Sequence, residues 1–177
     1  MRLLLAIVLA WPIAGYGNNQ LFSDSVMVGE QPLELCNNAK IKVMAMFTVG
    51  QAAMYLQDCK QQTEPLNQPI QLSIVYQREF TPEDFQKSAY KLLQRNLSEQ
   101  QFGAIEDQLQ EFNSNYQAIS KGERYDICYS ENTGLMLHKN GQLISQSPSQ
   151  ALGESYFQIW FGERPFNKKL KKALLKR

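Results

Sequence analysis

The chain has 177 residues, with 18 Lys+Arg against 17 Asp+Glu, one His, three Cys and 44% hydrophobic residues. A formal charge of +1 argues against a nucleic-acid binder that works through a broad basic face. The single histidine and the lack of C-x-x-C spacing exclude most zinc sites, and the length suits one domain with one sizeable core.

Met1-Arg2 precedes the apolar run Leu3 to Trp11, followed by Pro12 and the small residues Ala14, Gly15 and Gly17. A basic start, a short apolar run and a small-x-small stretch predict a secretory signal peptide over 1–17, with cleavage after Gly17, or after Ala14 as an alternative. The run is too short for a membrane span, which needs about 20 apolar residues. Residues 18–177 are then one exported domain, with a periplasm as the expected location.

Ser23 to Val28 alternates weakly, Gly29-Glu30 turns, and Pro32 to Cys36 continues as a second short strand. Lys42 to Phe47 and Val49 to Leu56 are apolar and nearly free of charge, and Gly50 reads as a bulge or bend within one long strand. Asp58 to Gln68 is a polar loop. Ile70 to Tyr76 alternates with period 2, a strand with one buried face. Thr81 and Pro82 open a helix with Phe85, Ala89, Leu92 and Leu93 at helical spacing. Ser98 to Gln101 has the capping-box pattern and starts a second helix, with Phe102, Ile105, Leu109 and Phe112 on one face. Arg124 to Tyr129, Gly134 to Lys139 and Gln142 to Gln146 return to strand character. Asn140-Gly141 between the last two is a hairpin signal. Ser147-Pro148 opens a helix through Phe161, and Asn167 caps a final basic helix. Strands segregated from helices predict an α+β fold, an antiparallel sheet covered by helices.

The sequence has no G-x-S-x-G, no glycine-rich phosphate loop and no metal-ligand cluster, and no cofactor is expected. His138, beside a predicted turn, reads as a surface residue; Glu106, Asp107 and Glu111 read as a solvated helix face. Cys36, Cys59 and Cys128 lie in apolar surroundings that favour buried thiols; a Cys36–Cys59 bridge is the alternative in an oxidising compartment. Lys42 borders the charge-free run. It is either a strand-end lysine with its head in water or an anchor for an acidic ligand in an apolar pocket. The tail from Lys168 to Arg177 carries six positive charges among Leu170, Leu174 and Leu175. It reads as a helix docked by its leucines, with peripheral membrane contact through 168–177 as the less favoured alternative.

The segment from Ser155 to Leu175, with Ile159-Trp160-Phe161-Gly162 and Leu170-Lys171-Lys172-Ala173-Leu174-Leu175, resembles the C-terminal signature of bacterial chalcone isomerase-like proteins. Val28 to Leu33, Val49 to Leu56 and Phe80 to Phe85 resemble, in order, their opening hairpin, central strand and helix start. The resemblance implies an open-faced β-sandwich, in which a large antiparallel sheet is covered by a layer of helices. In the plant enzymes a chalcone closes to a flavanone, supported by an Arg and by Thr, Tyr and Asn residues, with a Ser or Thr near the last helices. Here Phe85 aligns with the Tyr, Leu92 with the Asn, and Gly153 lies near the Ser/Thr. Lys40 or Lys42 lies near the Arg, and Gly50 near the Thr with Thr48 two residues away. Phe and Leu donate no hydrogen bond to developing negative charge, so chalcone cyclisation is not expected.

Relatives that bind fatty acids make a small apolar carboxylate the implied ligand. It would lie between sheet and helices among Met44, Met46, Tyr55, Phe85, Leu92 and Trp160, with Lys40 or Lys42 meeting its carboxylate. An isomerase or lyase acting on another substrate, or an envelope interaction module using the basic terminal helix, are the alternatives.

Overall fold

The computed structural model describes residues 21–43 and 47–176; the expected signal peptide lies outside them. Among the described residues, seven strands form one antiparallel sheet in sequence order: β1 (Ser25–Val28), β2 (Gln31–Val43), β3 (Phe47–Leu56), β4 (Ile70–Tyr76), β5 (Arg124–Ser130), β6 (Gly134–Lys139) and β7 (Gln142–Ser147). Between β4 and β5 run α1 (Pro82–Asn96) and α2 (Glu99–Ser114); α3 (Gln150–Tyr156), α4 (Gln158–Phe161) and α5 (Lys168–Leu174) follow the sheet. This is the expected α+β arrangement, an open antiparallel sheet with helices over one face.

Both long helices start where their caps dictate. The Thr81 side chain accepts from Asp84 N while the Asp84 carboxylate accepts from Thr81 N, and Ser98 and Gln101 repeat the exchange at α2. Each box satisfies two N–H groups that a helix start leaves unpaired. The third helical segment begins later than expected. Ser147 is held in β7 opposite Leu135, so the cap is Ser149, and the helix divides at Phe157 into α3 and α4. Asn140 and Gly141 both have positive φ, 51° and 83°, as a tight β6–β7 hairpin requires.

The first half of the sheet corrects two expectations. β2 does not end at Cys36: Leu35 faces Tyr55 while Asn37 faces Met54, so Cys36 is an extra residue in a bulge and the strand runs on to Val43. Nor is Lys42 to Leu56 one long strand, because Lys42 pairs with Thr48 and Val43 with Phe47. No glycine, proline or asparagine between Val43 and Phe47 announces the end of a strand. A second bulge at Val49 accompanies this pairing. Gly50 marks a close approach, since a Cβ there would lie 2.5 Å from the Val75 carbonyl oxygen.

The core on the helix side unites Met54, Leu56, Ile70, Leu72 and Ile74 of the sheet with Leu93, Ile105, Leu109 and Phe112 of α1 and α2. β4 was expected to bury one face, but Gln71 and Ser73 on its other face are buried too. A smaller second core of Phe22, Val28, Leu33, Ala53, Tyr55 and Cys128 covers that side, where β1 contacts β5. The polar groups on this face satisfy one another: Ser73 Oγ donates to Asp126 Oδ1 at 2.6 Å, and Arg124 Nε to Asp126 Oδ2 at 3.0 Å. His138 is half-buried on this side, with Nδ1 4.0 Å from Cys128 Sγ, rather than a surface residue; burial lowers its pKa against the raising effect of Asp126.

The favoured reading of three thiols is also corrected. Cys36 and Cys59 form a disulfide across 23 positions, and Cys128 alone is a buried thiol. The bulge at Cys36 and the short 3-10 turn Cys59–Gln61 bring the two Cα atoms to 5.2 Å. The terminal helix docks through Leu170 and Leu174, both buried, and Asn37 Nδ2 donates to the carbonyls of Leu174 and Lys176.

Candidate functional site

A cavity of about 460 Å³ lies between the helix-facing side of the sheet and the helical layer. Strand residues Ile41, Val49, Ile74 and Ile127 line one side; Phe85, Ala89 and Leu92 of α1 and Ile159 and Trp160 of α4 line the other. The lining is apolar because these positions obey two periods at once. Even-numbered β4 residues face the helices, and α1 presents positions 85, 89 and 92 along a single stripe.

Aromatic rings build one wall. Phe85 stacks on Tyr116, with centroids 5.0 Å apart and 12° between planes, and meets Tyr76 and Tyr125 edge-on at 5.5 and 5.2 Å. Tyr156 of α3 completes a set of four tyrosines lining the cavity. Burial raises the pKa of all four, so they are neutral phenols near neutral pH.

The phenols differ in their partners. Tyr156 donates to Asn113 Oδ1 at 3.1 Å and therefore accepts from Tyr116 Oη at 2.8 Å. Tyr125 donates to the Gln117 carbonyl at 2.6 Å and accepts from Gln117 N at 3.1 Å. The Tyr76 hydroxyl meets no hydrogen-bond partner among the described residues.

Of the residues expected at the ligand site, Phe85, Leu92 and Trp160 line the cavity. Met44 and Met46 lie outside the described residues. Tyr55 is corrected to the opposite side of the sheet, where it belongs to the second core and donates to the Ser23 carbonyl at 3.1 Å. Burial there pushes its pKa up to about 12. Lys40 and Lys42 are corrected as well. They flank Ile41, which faces the cavity, so strand alternation sends both to the other face, and both are exposed. The lining charges among the described residues are the carboxylates of Glu79 and Asp84, both on exposed residues. Asp84 accepts hydrogen bonds from the Thr81 backbone and side chain, which lower its pKa and hold it ionised.

Sequence reasoning missed the tyrosines. Tyr76 and Tyr125 carried a signal, since each occupies an inward position of an alternating strand. Tyr116, in the loop after α2, carried none. No group of three or more potential metal ligands occurs among the described residues, and no described helix is long and apolar enough to cross a membrane.

A family model described as chalcone isomerase-like matches residues 18–176. No curated protein matches the chain. Among solved structures, the chain is similar to a fatty-acid binding protein from Arabidopsis thaliana, with a TM-score of 0.58 and 19% identity over 87% of this chain and 90% of that one. At that identity the likeness speaks for the fold. With the family match spanning nearly its whole length, the chain belongs to the chalcone isomerase-like family.

Proposed function

We propose that this protein binds a small, mostly apolar molecule between its sheet and its helical layer. The cavity carries this reading. At about 460 Å³ it falls within the usual range for small-molecule sites, and its lining is apolar and aromatic with few polar groups. A medium-length acyl chain or a compact ring system fits such a space. The fatty-acid binding protein of similar fold supports an apolar chain as the ligand body. Phe85 and Leu92 in the lining support a binding role over ring closure, because neither offers a hydrogen bond to a developing oxyanion.

Export, with a periplasm as destination, belongs to the same proposal. The N-terminal signal-peptide pattern supports it, as does a Cys36–Cys59 bridge suited to an oxidising compartment.

Titration with a neutral fluorescent naphthylamine probe, followed by displacement with decane and with longer alkanes, tests the reading. Saturable binding at one site per chain, blocked by Leu92→Trp or Ala89→Trp in a protein that still melts cooperatively, is the expected result. Lys42→Ala leaves the affinity within about twofold, since its head lies in solvent on the other face. No binding of any apolar probe by folded protein rejects the proposal.

A further inference from the structure

We infer that Tyr76 is the polar anchor of this cavity and that its ligand is an uncharged apolar molecule carrying a hydrogen-bond-accepting oxygen, such as a ketone, ester or alcohol. The inference rests on the apolar-binding reading above and adds the ligand's head group.

Two observations combine. The first is the unused donor. Tyr116, Tyr125 and Tyr156 each commit their hydroxyl hydrogen to another group of the protein, whereas Tyr76 commits its own to none among the described residues. Tyr76 is held at the end of β4 by edge contacts to Phe80, Phe85 and Tyr125, with centroids 5.5, 5.5 and 6.0 Å away. Its rotamer is therefore set by packing, and its ring lines the cavity. Tyr76 keeps some exposure, so its hydroxyl hydrogen is open to whatever occupies the cavity, and a ligand oxygen there gains a bond that no group of the described protein competes for.

The second is the charge of the lining. Among the described residues it includes no Lys, Arg or His, while Glu79 and Asp84 supply two carboxylates. A ligand carboxylate would lose its hydration in apolar surroundings with no cation to meet it and two like charges on the same lining. A neutral oxygen meets neither cost and accepts the Tyr76 hydrogen directly.

The test compares three ligands of matched chain length, decane, methyl octyl ketone and decanoic acid, by displacement of the neutral probe from the full protein. At about pH 8, where the acid is ionised, the ketone is expected to bind several-fold more tightly than either decane or decanoate. Lowering the pH towards the acid's own pKa strengthens its binding and leaves the ketone's unchanged. Tyr76→Phe is expected to weaken the ketone about three- to tenfold, the value of one neutral hydrogen bond, and to leave decane unaffected. It should also melt no lower than the parent, because the hydroxyl it removes bonds to none of the described residues. Decanoate binding more tightly than the ketone at the higher pH, or equal ketone affinity with and without the Tyr76 hydroxyl, overturns the inference while decane binding keeps the apolar-site reading intact. Failure of all three ligands and the probe overturns both.

Discussion

Phe85 shows how one side chain can serve packing and site at once. Its ring stacks on Tyr116 and supports Tyr76 and Tyr125 edge-on, while its remaining surface faces the cavity. Truncation removes four aromatic contacts, to Tyr76, Phe80, Tyr116 and Tyr125, and joins new space to an existing cavity. Phe85→Ala is therefore expected to cost about 2–4 kcal/mol in urea unfolding, below the upper range for buried Phe because the residue is only half-buried. The same variant should accept bulkier displacing ligands than the parent, which probe competition checks. Spacing alone shows Phe85 and Leu92 on one helical face, since seven residues make nearly two turns. It cannot show where a lysine head goes. Lys42 sits in an apolar stretch yet points away from the cavity, because its neighbour Ile41 takes the inward position and alternation leaves it no choice.

At the scale of elements, local signals did well wherever the chemistry is local. The two capping boxes, the Asn140-Gly141 hairpin and the Asn167 cap each act over four residues or fewer, so the residues that define them are adjacent in sequence. The β2–β3 region is different. Its bulges at Cys36 and Val49 are properties of a pairing between two strands, and neither strand alone encodes the register. The disulfide depends on that pairing, because the Cys36 bulge faces the turn that holds Cys59. Closing a loop of this length restricts the unfolded chain by about 3 kcal/mol. Replacing Cys36 and Cys59 together by Ser should lower stability by roughly that amount, read from denaturant midpoints under oxidising conditions. Mild reduction of the parent should produce the same loss, and reduction of the double variant should change nothing further.

For the whole molecule, the consequence of gathering four tyrosines beneath one helical layer is a limit on the alkaline side. Burial raises the folded-state pKa of Tyr76, Tyr116, Tyr125 and Tyr156 above that of an unfolded tyrosine. Below the unfolded value of about 10 both states keep these protons, and the full stability is present. Above it the unfolded chain releases them more readily, so stability falls as pH rises towards the folded values. Thermal melts should lose stability from about pH 10 upward, and phenolate absorbance from these rings should rise together with loss of far-UV signal. Substituting Phe at Tyr76 should soften the loss, since that position then has no proton to release.

The sequence by itself determined the class of this fold, the positions of its helix starts and its last hairpin, and the family it resembles. Those features rest on period, capping chemistry and short motifs, all read within a few neighbouring residues. Only the tertiary structure decided which residues share the cavity, that Cys36 meets Cys59, and that Tyr55 and the lysines face elsewhere. Strand register and sheet curl join β4, β5, α1, α3 and the loop holding Tyr116 across long stretches of chain. No periodicity within one element carries that information, because it exists only once the elements are packed.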